Sequence, residues 1–238
     1  GKKSLSLIGQ KDVWIRTKQG RVTILTIDSS EDITINNIGM IHEVKCGYCE
    51  GVVVKLLNVN NINISDATLN GSGSQAIQME NAQHVTVTGG KAINNTGGVF
   101  NIKNSVDITI KEMGIENNDN SGGKQGILDV EGSNSVSFNY NVIKNNQNAY
   151  FKKVLDSQNV EIAGNEFITN NFANYDASNT KDASSTGGDL LWSQTLKIHP
   201  DLPDFTFELT GVLKGKTANL KTLKVYRTKQ DDHHPPQV

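Results

Sequence analysis

Cysteine, proline, arginine and aromatic residues are all scarce in this chain of 238 residues. Cys46 and Cys49 are the only cysteines, too few for the disulfide framework of a small secreted scaffold. All four prolines fall at or beyond Pro200, so none interrupts the repeated stretch described next. Arg16 and Arg21 are the only arginines before residue 172, which leaves little of the side chain best shaped to clamp a carboxylate. No run of eighteen apolar residues occurs, so the sequence contains no membrane-spanning helix. A formal net charge of −2 and a pI of about 6.2 give no basis for a general affinity for nucleic acid or anionic membranes. The opening Gly1-Lys2-Lys3 reads as a processed end or a cleavage scar.

What the chain has in quantity is repetition. Ile62, Val85, Ile108, Val136 and Val160 form one column, at spacings of 23, 23, 28 and 24 residues. Two residues on stand Ile64, Val87, Ile110, Phe138 and Ile162. Six residues back stand Leu56, Met79, Ile102, Val130 and Val154, and seven on stand Leu69, Ala92, Ile115, Ile143 and Phe167. All of these positions are apolar in a chain that is only 36% hydrophobic. The steps of two within each repeat are the strand period, and a fixed period of this size marks a repeat architecture. Each repeat is therefore one coil of short strands that buries its apolar face against the coils above and below. A further column, Asn95, Asn118, Asn146 and Asn170, predicts a ladder of side-chain amides bonded along the stack.

The pattern extends backwards. Leu7, Val13 and Ile15 fit the columns, as do Ile27, Ile33, Ile35 and Met40, with Val13 preceding Ile33 by 20 residues. No capping segment is visible before Leu5, so either the native protein is longer or another segment covers that end. Residues 41–51 and 119–126 are insertions, both placed just ahead of the strand that carries Leu56 or Val130. Both should leave the coil at one corner, where they would rim a groove. The first carries Cys46 and Cys49. The pair reads as a local disulfide or two free thiols before it reads as half a zinc site or a redox pair, since no second cysteine pair and no βαβ context accompany it. Residues 1–171 are thus coils, 172–188 a polar loop, 189–229 an irregular closing segment and 230–238 a disordered tail.

Chemistry should sit on outward positions. Beside the Leu56 column run two outward rows: Thr26, Lys55, Gln78, Asn101, Asp129, Lys153, and Asp28, Leu57, Glu80, Lys103, Glu131, Leu155. The anchor strand shows Trp14, Thr34, Asn63, Thr86, Thr109, Ser137 and Glu161 instead, a milder face. On the charged face Lys103 lies between Glu80 and Glu131, which is a charge ladder on a solvated sheet or the floor of a binding groove. Asp129 and Glu131, two residues apart on one strand, would hold their carboxyls about 6.5–7 Å apart, the lower end of the range used by inverting glycosidases. In a lyase, Lys103, Lys153 or Lys55 would serve as base and Asp129, Glu131 and Glu80 as ligands for calcium. Trp14, Trp192, Tyr48 and Tyr150 are the aromatics to consider for stacking on sugar rings, although packing beneath a loop is the commoner role.

The stacked columns, the Asn turns and phrases such as "NVNNINISDATLNGSG" and "NSVDITIKEMGIENN" resemble the right-handed parallel β-helix repeat proteins of the pectate-lyase-like superfamily, over roughly residues 4–171. The resemblance implies an all-β, right-handed parallel β-helix of at least seven coils. It also implies a bacterial-type protein that is extracellular, periplasmic or on the cell surface. Activity does not follow, because that fold carries lyases, hydrolases, adhesins and phage spikes. The chain lacks the Asn-Thr-Asp, Asp-Asp, Gly-His-Gly and Arg-Ile-Lys set of the polygalacturonases and the Arg-x-Pro-x-x-Arg of the pectate lyases. It also lacks the Asn…Glu…Arg pattern of the alginate lyase and chondroitinase B group. Two expectations remain: binding or processing of an extracellular polysaccharide on the charged face, with Asp129, Glu131 and Lys103 as catalytic candidates and Glu80, Lys153, Lys55 and Tyr48 as binding ones, or a non-catalytic adhesion or spike module.

Overall fold

The computed structural model describes residues 1, 3–44, 50–71, 75–120, 125–148 and 150–172. The first coil supplies β1 (Lys3–Ile8) and β2 (Trp14–Thr17). Three strands then recur: β3 (Leu25–Asp28), β4 (Glu31–Asn36) and β5 (Gly39–His42), followed by β6 (Val54–Leu57), β7 (Asn60–Ser65) and β8 (Thr68–Asn70). The next two coils give β9 (Ile77–Glu80), β10 (Gln83–Thr88) and β11 (Lys91–Ile93), then β12 (Phe100–Lys103), β13 (Val106–Lys111) and β14 (Gly114–Glu116). The last two add β15 (Leu128–Glu131), β16 (Asn134–Asn139), β17 (Val142–Lys144) and β18 (Gln147–Asn148), then β19 (Lys152–Leu155), β20 (Gln158–Ala163), β21 (Glu166–Ile168) and β22 (Asn171–Phe172). The described residues contain no helix, and so none long and apolar enough to cross a membrane.

Every strand pairs in parallel with its counterpart one coil away. The first sheet runs β3-β6-β9-β12-β15-β19, the second β1-β4-β7-β10-β13-β16-β20 and the third β2-β5-β8-β11-β14-β17-β21. The protein is an all-β parallel solenoid of about seven turns. Ile33, Ile62, Val85, Ile108, Val136 and Val160 are lateral partners in the second sheet. Leu56, Met79, Ile102, Val130 and Val154 are partners in the first, and Leu69, Ala92, Ile115, Ile143 and Phe167 in the third. All are buried in one core, where each large aliphatic side chain contributes about 1.5–3 kcal/mol by leaving water. At the far end Phe138, Phe151 and Phe167 meet edge to face, with centroids 6.1 and 4.8 Å apart.

The turns follow from the asparagines. Ser29, Asn58, Asn81, Asn104, Gly132 and Asp156 bend the chain from first to second sheet, each with φ between 47 and 59°. Asn94, Asn117, Asn145 and Thr169 do the same where the third sheet ends, with φ of 53 to 57°. Short polar side chains and glycine tolerate this left-handed region best. Beside the second set lies the amide ladder: Nδ2 of Asn95, Asn118 and Asn146 donates to Oδ1 of Asn118, Asn146 and Asn170 at 2.9, 2.8 and 2.8 Å. The backbone N–H of each lower rung donates to the same oxygen. Two further ladders escaped the sequence reading. Asn141 and Asn165 repeat the geometry, and Ser105, Ser133 and Ser157 each accept a backbone N–H from the preceding coil.

The first coil corrects the sequence alignment. Leu5, not Val13, pairs with Ile33, and Leu7 pairs with Ile35. Trp14 and Ile15 belong to the third sheet, opposite Gly39 and Met40. Apolar alternation fits either placement, but Gly39 decides it: a Cβ there would collide with the Trp14 ring. The true outward neighbour of Thr34 is Ser6. Trp14 is therefore withdrawn from the anchor-strand face; its ring stacks under the Arg16 guanidinium, 5.6 Å away.

Candidate functional site

The first sheet carries both predicted rows in the predicted order. Thr26, Lys55, Gln78, Asn101, Asp129 and Lys153 are successive lateral partners. So are Asp28, Leu57, Glu80, Lys103, Glu131 and Leu155. The strands hold inward and outward residues in strict alternation, which is why the polar side chains share one face. The two insertions both connect the third sheet to the first, between β5 and β6 and between β14 and β15. They therefore leave the same corner, three coils apart. Tyr48, Cys46 and Cys49 of the first insertion lie outside the described residues, as do Trp192 and the stretches read as polar loop beyond Phe172, closing segment and tail. Phe172 itself, placed in the polar loop by the sequence, forms part of β22 beside Asn148.

Near the second insertion the face sinks into a depression of about 190 Å³. Asn101, Lys103, Gln125, Asp129, Glu131, Tyr150 and Lys153 line it. The Tyr150 hydroxyl donates to Asp129 Oδ1 at 2.6 Å. Burial pushes the Asp129 carboxyl above its ordinary value, against the opposing pull of the Tyr150 hydrogen bond, the Gly126 backbone and the ammonium groups of Lys153 and Lys103. Burial and the neighbouring carboxyl push the Tyr150 phenol up in turn. Gly126 makes this arrangement possible: a Cβ at that position would strike the Tyr150 ring. Gln125, beside it, is held by Gln75 Nε2 on its side-chain oxygen at 3.0 Å.

Of the other candidates, Lys103 Nζ pairs with Glu131 Oε2 at 3.1 Å across adjacent coils. Lys153 flanks Asp129 from the last coil and Glu80 flanks Lys103 from the coil before. Lys55 lies at the other end of the row, away from the depression. The structure thus gathers Asp129, Glu131, Lys103 and Lys153 and leaves Lys55 apart. No group of three or more His, Cys, Asp or Glu is placed to hold a metal ion among the described residues. Sequence reasoning noticed Tyr150 as an aromatic but not that its hydroxyl serves Asp129, and it passed over Asn101 and Gln125. The row arithmetic did place Asn101 next to Asp129.

What this arrangement can do chemically is transfer a proton. A half-buried carboxyl, raised above its ordinary value, sits two residues along the strand from a second, exposed carboxyl that is paired with an amine. No protein-family model, no curated protein and no solved structure matches this chain.

Proposed function

We propose that the chain is a right-handed, pectate-lyase-like β-helix, secreted or surface-exposed in a bacterial-type cell, that binds an extracellular polysaccharide along its first sheet and cleaves it at the Asp129 depression. The observation that carries this reading is the environment of Asp129: a carboxyl that keeps its proton above the usual range, in an open hollow, beside Glu131. In an inverting hydrolysis Asp129 donates its proton to the glycosidic oxygen of the leaving sugar. Glu131 accepts a proton from the water that attacks the anomeric carbon from the opposite face. Lys103 orients Glu131, and Lys153 and Gln125 are placed to bind sugar hydroxyl or acidic groups.

The test is a polysaccharide panel scored for binding, for reducing ends and for the ultraviolet absorbance of unsaturated products, with the Asp129→Asn, Glu131→Gln double variant in parallel. Reducing ends that vanish in the double variant are the expected result. Unsaturated products would instead mean elimination, with a lysine as base. The Lys103–Glu131 pair favours a second reading, a non-catalytic adhesion or spike module in which the charges merely offset one another along the sheet. Binding without turnover, or no binding to any member of the panel, would move the assignment there.

A further inference from the structure

Asn101 in β12 is the lateral partner of Asp129 in β15. Adjacent strands lie about 4.8 Å apart, and both outward side chains line the same depression. The Asn101 side-chain oxygen is buried and has no hydrogen-bond donor. A buried acceptor left in this state is costly and calls for a donor. Asp129 has one oxygen occupied by the Tyr150 hydroxyl. The groups facing it are Lys153 from β19, Lys103 from β12, Glu131 on its own strand, and Tyr150 and the Gly126 backbone from the corner beside it. All the donors among them favour an ionised carboxylate, yet burial prevails.

We propose that Asn101 is a positioning residue that holds the proton of Asp129: the Tyr150 hydroxyl donates to Oδ1 while the protonated Oδ2 of the same carboxyl donates to Asn101 Oδ1. The clasp satisfies the orphaned amide oxygen and fixes the rotation of the acid. It also aims the O–H along the sheet towards β12, so that the proton leaves Asn101 only when a stronger acceptor enters the hollow. The clasp concerns protonation alone; its use as a general acid rests on the function proposed above.

The experiment is a carboxyl-carbon NMR titration of the full chain, labelled at aspartate, with Asp129 assigned by the loss of its signal in Asp129→Asn. The wild-type midpoint should lie above the ordinary aspartate value. Asn101→Leu keeps the volume and the burial but removes the acceptor, so the Asp129 midpoint should fall. Tyr150→Phe removes a donor to the ionised form, so the midpoint should rise. A midpoint in Asn101→Leu that is unchanged or raised overturns the proposal, since it means that burial alone, or an amide turned to donate, sets the protonation. Should Asn101→Leu not fold, infrared difference spectra between the wild type and Asp129→Asn decide the matter. Just above the ordinary aspartate value of about 3.9, the clasp requires the carbonyl stretch of a hydrogen-bonded neutral acid. A carboxylate band alone refutes it. No glycan enters either measurement, so the polysaccharide reading and the clasp fail or stand separately.

Discussion

A single aspartate illustrates how burial and hydrogen bonding compete at the level of one residue. Asp129 is raised above its ordinary value, so the folded state holds its proton more tightly than the unfolded chain does. By linkage, folded stability then falls as pH rises from the ordinary value through the raised one, and the whole penalty is present above it. Asp129→Asn, which is neutral throughout, should therefore be more stable than the wild type at neutral pH. The advantage should disappear below the ordinary aspartate range. Urea melts across that interval test this, and a constant difference at all pH values would contradict it. The Lys103–Glu131 pair sits at the opposite extreme. Its side chains are 42% and 53% exposed, so water screens the attraction, and Lys103→Met should cost no more than about 1 kcal/mol in the same melts. A marked loss of polysaccharide binding in that variant would then report a role in the groove, separate from stability. Sequence could reveal this site only in part. The rows that bring Asn101, Asp129 and Lys153 together follow from register, and register follows from the apolar columns. The hydroxyl of Tyr150 arrives from a corner whose path depends on Gly126 having no side chain, and no periodicity encodes that.

Among elements, the ladders govern stability as much as the strands do. Asn146 is fully buried; its amide donates to Ile115 O and to Asn170 Oδ1, and its oxygen accepts from both the backbone and the side chain of Asn118. Asn146→Ala would strand two buried donors and one carbonyl, at a cost of about 3 kcal/mol or more. Asn95 starts the ladder, and its own Oδ1 already lacks a partner. Asn95→Ala removes donors only and should cost about 1 kcal/mol. Thermal or urea unfolding of the two variants checks the order, and equal losses would mean that the rungs act as independent turn residues. The Asn95–Asn170 ladder was legible from sequence because its spacing repeats that of the apolar columns. The Asn141–Asn165 rung was not, because it spans only two coils and so shows no period. The first coil was misread for a related reason. Val13 and Ile15 alternate as well as Leu5 and Leu7 do, and only the missing Cβ of Gly39 reveals that Trp14 belongs over the third sheet.

On the scale of the whole molecule, nearly every contact joins a coil to the next one, so stability should be distributed along the axis and not held by one nucleus. The two regions differ in how well they are covered. Leu5, Ile8 and Val13 of the first coil are 40, 67 and 40% exposed, whereas Met79, Ile102 and Ile115 of the central coils are 0% exposed. Amide hydrogen exchange in the full chain should accordingly rise from the centre towards β1 and β2, with β9 to β14 the slowest region. Ile102→Ala sharpens the test. It opens a cavity between Met79 and Val130, its partners on either side, at a cost of about 2–5 kcal/mol. In a cooperative two-state domain that loss would lower the protection of every slow amide equally. In a stack coupled only through neighbours, it should fall on the coils adjoining β12 and leave the more distant central amides less affected. The Asp129 depression lies across β12 and β15, so the same substitution should also loosen the hollow. Faster exchange at Asp129 and Lys153 than at Ile62 would show that the site draws its rigidity from the coils that flank it.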